Sequence, residues 1–151
     1  MPQTLVFSPP DAASIDNARI EVILDRIMNG DAAYWRAGAA HAAVYYGEQG
    51  GESPSFVLML TKYGFYVEAI FVETVKGRKR PVAYVPDAKL GRVEVDQPWA
   101  GQNPMRIPRD FCLTREQCAE AVQYFCETGE RDPRVNWVNS RHTGWDTNAD
   151  A

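Results

Sequence analysis

The sequence predicts an α+β fold in which an N-terminal and a C-terminal helix pack on an antiparallel sheet of about five or six strands. Three observations carry this expectation. Apolar residues recur at helical spacing between Ile20 and Met28 and again between Cys118 and Phe125; strand-like runs occupy the middle of the chain; and the breaks between those runs are short and rich in glycine and proline. With 151 residues, 45% of them apolar, the chain is long enough to bury a core without disulfides or metal. It reads as one domain over residues 1–151, with a polar tail from about residue 139 that has little to bury except Trp145 and is expected to be loosely held.

The first helix has Ile20, Ile23, Leu24, Ile27 and Met28 on one side, Arg19, Glu21, Asp25 and Arg26 on the other, Ser14 as its expected cap and Asn29-Gly30 as its stop. Residues 31–51 carry two signals. Alanines around Ala39 to Ala43 favour a short helix, and Val44-Tyr45-Tyr46 favours a strand after it. Phe56 to Leu60 and Phe65 to Glu73 read as a hairpin turning at Lys62-Tyr63-Gly64. Lys76 to Pro81 reads as a break before a strand at Val82 to Val85, and Pro86-Asp87 separates that from Val93 to Val95. Pro98 to Pro104 reads as irregular loop, with Met105 to Ile107 regaining the sheet.

The strongest local signal lies at Thr114 to Thr128. Thr114 and Gln117 have capping-box spacing, Leu113 and Cys118 suit a hydrophobic staple, and Cys118, Ala121, Val122 and Phe125 form one stripe. Gly129 is placed for a left-handed stop, Asp132-Pro133 prevents continuation, and a final strand is expected around Val135 to Val138.

Catalytic signatures are absent from the sequence. A zinc deaminase needs His or Cys followed two residues later by Glu, together with Pro-Cys-x-x-Cys; His41-Ala42-Ala43 lacks the Glu, and Cys112, Cys118 and Cys126 are too widely spaced. The cysteines read as reduced thiols packed in a core. The two histidines, His41 and His142, lie among alanines and in the polar tail, and there is no glycine-rich phosphate loop. Glu68, within an apolar strand, reads as solvated or facing a partner. No metal or cofactor is expected. The net charge of −4 disfavours a broad grip on nucleic acid, although Arg78-Lys79-Arg80 forms a local basic turn. A start without a basic stretch and apolar run, and the lack of any run of ~18 apolar residues, favour a cytoplasmic protein with no membrane span.

Between Met105 and Val138 the chain resembles a known family: the first-numbered immunity proteins of bacterial polymorphic-toxin systems, which commonly accompany deaminase-type toxins. The resemblance rests on Ile107-Pro108 before the helix, Phe125 late in it, Thr128-Gly129-Glu130 at its end, and Pro133 followed by Val135 and Trp137. Asp132, between Arg131 and Pro133, lengthens the connection relative to that pattern. The resemblance implies an α+β fold and the binding of a cognate toxin encoded nearby, a deaminase acting on nucleic acid or nucleotides. Ile107, Pro108, Phe125, Gly129, Pro133 and Trp137 are expected to be scaffold. Contacts to a basic toxin are expected from aromatics flanked by acids and from acidic loops: Glu48, Glu52, Glu94, Asp96, Trp99, Trp145 and Asp146. Two other readings remain open, a chaperone or loading adaptor for a secreted effector and a small enzyme built on Glu68 or Glu94.

Overall fold

The computed structural model describes residues 4–89, 94–101 and 103–148. In chain order, strand β1 (Leu5–Ser8) is followed by helices α1 (Ile20–Asn29) and α2 (Ala32–Arg36), then by β2 (Ala42–Tyr46), β3 (Ser55–Thr61), β4 (Gly64–Val75) and β5 (Arg78–Pro86). Four two-residue strands come next, β6 (Val95–Asp96), β7 (Trp99–Ala100), β8 (Asn103–Pro104) and β9 (Ile107–Pro108). The chain then forms β10 (Cys112–Leu113), α3 (Arg115–Thr128) and β11 (Trp137–Asn139).

The α+β class holds. The main sheet runs β1-β2-β3-β4-β5-β11, with β10 on β4, and every pairing is antiparallel. Seven strands replace the expected five or six. The two additions, β1 and β10, are too short for a periodic signal of their own, and only their partners make them strands.

Alternation along β3 and β4 explains the layering. Phe56, Leu58, Leu60, Phe65, Val67 and Ala69 point to one face, where Ile23 and Ile27 of α1, Trp35 of α2 and the stripe of α3 cover them. Met59 and Tyr66 point to the other face and join Val85, Ile107 and Phe111 in a smaller cluster under the β6–β9 segment. In the larger core Phe125 stacks on Phe56 at 4.2 Å, and Trp35 meets Phe65 edge-on at 4.9 Å.

The helix from Thr114 behaves as its sequence demands. Thr114 accepts the Gln117 backbone N–H while its own N–H donates to the Gln117 side chain, and Gly129 closes α3 with φ 74°. Ser14 does not cap α1. It donates to Gln49, and the helix starts at Ile20 with Arg19 in the cap position and no side-chain bond there. Gly30 ends α1 in an extended conformation, φ −66°. The short helix expected near Ala39 to Ala43 lies earlier, at α2, where Asp31 accepts the Tyr34 N–H and Trp35 is fully buried. Ala42 and Ala43 belong to β2, where Ala42 sits beneath the helices with Val44 and Ala43 turns to the opposite face of the sheet.

Strand β5 begins at Arg78, so the turn is only Lys76-Gly77, both at positive φ, as a two-residue hairpin loop requires. Pro81 therefore lies inside a strand. Counting from the pair that flanks the turn, Pro81 falls at a position whose missing N–H points away from β4, where the edge of β5 has no strand beside it among the described residues. Met105 to Ile107 does not regain the main sheet: Ile107 pairs with Asp96 in a separate two-stranded sheet, and Pro98 to Pro104 contains a miniature hairpin, β7 with β8. The expected strand at Val93 to Val95 falls partly outside the described residues. The last strand starts at Trp137, two residues later than expected, because Asp132 to Val135 forms a turn closed by Val135 N–H donating to the Asp132 carbonyl at 3.1 Å.

Candidate functional site

The turn after α3 is organised by Asp132, whose residue is 1% exposed. Its carboxylate accepts from the backbone N–H of Arg134 at 2.9 Å and from the Arg134 guanidinium at 3.0 and 2.7 Å. These bonds hold the carboxyl below the usual aspartate range, burial opposing them. The Asp132 carbonyl accepts the Trp137 indole N–H at 2.9 Å. A residue that looks inserted in sequence thus sets the register in which Trp137 meets Pro86 on β5. Trp137 packs edge-on against Phe56, and the six positions expected to be scaffold differ in burial. Ile107, Pro108, Phe125 and Gly129 are buried, Trp137 is half-buried, and Pro133 is exposed.

Between this turn, β10 and the end of β5 lies a groove of about 400 Å³ whose walls include Asp87, Lys89, Gln117, Glu120 and Arg134. Asp87 and Asn136 brace it reciprocally, each donating an N–H to the other's backbone carbonyl at 2.9 Å.

The candidate contact residues fall into two sets. Glu48 and Glu52 lie in the β2–β3 loop and face a shallow bowl shared with Glu130 at the C-terminal end of α3. The negative end of the helix dipole adds to these three carboxylates. Lys79 reaches Glu52 at 3.3 Å, an exposed pair that contributes little to stability. The other five residues gather at the opposite end of β3, roughly 20 Å away by the rise of an extended strand. Asp96 accepts the Lys62 N–H from the β3–β4 turn at 2.8 Å, and Glu94 pairs with Arg109 at 2.8 Å. Trp145 donates its indole N–H to the Arg106 carbonyl at 2.8 Å and lies under the Arg106 guanidinium, while Asp146 accepts from Asn148. Trp99, on the β7–β8 hairpin, is 60% exposed. Sequence reasoning did not single out Glu130 for this surface, because only the fold brings the end of α3 to the β2–β3 loop.

The titratable groups inside the fold are tied into packing. Burial pushes the Cys112 thiol up to about 11 and Cys126 up to about 12, and it moves Cys118 further in the same direction. Tyr66 donates to Glu68 at 2.6 Å, and burial with that neighbouring carboxylate raises the phenol. Glu68 itself is half-buried on the sheet face away from the helices. His41 places Nδ1 3.0 Å from the Ala39 carbonyl. Among the described residues no group of three or more His, Cys, Asp or Glu is arranged to hold a metal, and no helix is long and apolar enough to cross a membrane.

Residues 86–139 match the family model described as Immunity protein Imm1. The matched stretch is about a third of the chain and runs from the last residue of β5 to the last residue of β11. It contains every position on which the resemblance to that immunity family was read, and extends it upstream from Met105 to Pro86. The whole lining of the groove beside Asp132 lies within it. No curated protein matches the chain.

Proposed function

We propose that this chain is an immunity protein that binds a cognate bacterial toxin and neutralises it by covering its active site. The observation that carries this reading is the match of residues 86–139 to the Imm1 immunity family. The matched residues run through β6 to β11 and α3, so they carry both the support around α3 and three of the candidate contacts, Glu94, Asp96 and Trp99.

A deaminase acting on nucleic acid or nucleotides fits as the target, since this family accompanies such toxins and a basic active-site mouth would meet an acidic surface. Trp99 is the anchor and Glu94, Asp96, Trp145 and Asp146 surround it; Glu48 and Glu52 form a second acidic edge that speeds encounter. Nothing in this mode of action requires a cofactor, nucleic acid or membrane, and it places the chain in the cytoplasm with the toxin's target.

Survival of cells expressing the open reading frame encoded beside this one, with and without this chain, tests the function. Protection together with loss of the purified neighbour's activity supports neutralisation. A neighbour that stays active while bound, or is held only through a transport segment, supports an adaptor instead. Trp99→Ala should weaken the complex by about 2 kcal/mol or more, roughly thirtyfold, while folding stability moves by no more than about 0.5 kcal/mol. Unchanged affinity would remove Trp99 as the anchor and leave neutralisation itself standing.

A further inference from the structure

The β4–β5 hairpin projects past the start of β3, which pairs with β4 only up to Ile70. Along the free edge of β5 runs a groove of about 530 Å³, closed on its far side by the helical turn Ser140–His142. It is lined by Lys76, Arg80 and Arg141 and by apolar residues, of which Ile70, Pro81 and Ala83 share the sheet face away from the helices; among the described residues no carboxylate lines it. None of the three cations has an ion-pair partner among the described residues. Glu73 stands across from Arg80 in the ladder, but its carboxylate accepts from Tyr84 at 2.8 and 2.7 Å and lies 3.7 Å from Arg131. In a chain of net charge −4 this is a segregated positive surface.

We propose that this groove docks an acidic, extended segment of a protein partner, its carboxylates on Lys76, Arg80 and Arg141 and its apolar side chains on Ile70, Pro81 and Ala83. Three features favour a protein over a nucleic acid. The apolar floor offers nothing to a phosphate backbone. Among the described residues no Phe, Tyr or Trp lines the groove, whereas single strands are bound on stacking aromatics. The net charge of −4 also opposes a long polyanion more than a short peptide. Pro81 lacks the N–H that a continuous added strand would need at the middle of the edge, so side chains rather than a full β ladder select the occupant. This surface is distinct from the acidic ones assigned to toxin binding, and it stands or falls without them.

Fluorescence anisotropy of a labelled short peptide alternating glutamate and valine, alongside a labelled dT oligonucleotide, tests the proposal on the full chain. The peptide should bind at low salt and weaken in about 0.5 M salt. Arg80→Gln with Arg141→Gln should weaken it about tenfold, whereas Arg19→Gln, an exposed arginine on α1's border, should leave it unchanged. Circular dichroism confirms that both variants fold, and Arg141→Glu alone repeats the test from outside the sheet. Absence of peptide binding, or binding indifferent to these variants, overturns the proposal. Tighter binding of the oligonucleotide reassigns the groove to nucleic acid, and self-association abolished by the same variants reassigns it to a second copy of this chain.

Discussion

Gly129 holds two separable constraints, and replacing it measures both. It closes α3 at φ 74°, and a Cβ built there would lie 2.6 Å from Cε1 and 2.7 Å from Cδ1 of Tyr46. The left-handed backbone alone costs an L-residue about 1–2 kcal/mol. Ordinary contact requires the Tyr46 ring to retreat by close to an ångström, and that ring already leans on Phe125 with centroids 6.0 Å apart. Forcing an extra carbon into such packing adds about 1–3 kcal/mol, so Gly129→Ala should cost about 2–5 kcal/mol. Gly77 is the control: its φ is 78°, and nothing lies within 4 Å of its built Cβ, so Gly77→Ala should show the backbone cost alone. In urea, with a slope of about 2 kcal/mol/M, the midpoint should fall by about 1–2.5 M for Gly129→Ala and about 0.5–1 M for Gly77→Ala. In a Tyr46→Ala background the excess at position 129 should disappear. Equal midpoint shifts for the two glycines in the parent protein would refute the claim that Tyr46 is seated on the α3 stop.

Two further outcomes follow from buried groups. Asp132 has a folded pKa below its unfolded value of about 3.9, so the stability it contributes is complete above that value and is lost as pH falls through the folded one. Asp132→Asn should lower the urea midpoint at pH 7 and flatten its decline on acidification; a decline as steep as the parent's would place the acid sensitivity elsewhere. The three thiols, all shifted upward by burial, should resist an aromatic disulfide reagent in the native protein at neutral pH and all react in denaturant. Rapid native labelling of Cys118 or Cys126 would show that α3 does not pack as described.

How far these properties could be read beforehand differs by element. The box at Thr114 and Gln117, the stripe ending at Phe125 and the stop at Gly129 were all legible, since each depends on residues within one or two turns of one another. Ser14 misled for the opposite reason: its hydroxyl has a partner thirty-five residues away in Gln49, and local spacing carries no trace of it. The proposed contact residues are recognisable only by type, as acids and aromatics. Their grouping is not, because β3 separates Glu48 and Glu52 from the five around Trp99 and because Glu130 arrives beside them only through the course of α3.

Amino-acid order alone was enough for the α+β class, the two main helices, the β3–β4 hairpin and the resemblance now matched over residues 86–139. Each follows from periodicity or short-range hydrogen bonding, which a linear string records. Tertiary structure decided that β1 and β10 are strands, that Asp132 sets the register of Trp137, and that Lys76, Arg80 and Arg141 share a groove without an acid among the described residues. These depend on backbone partners and charges brought together from distant parts of the chain, and burial decides which of them matter.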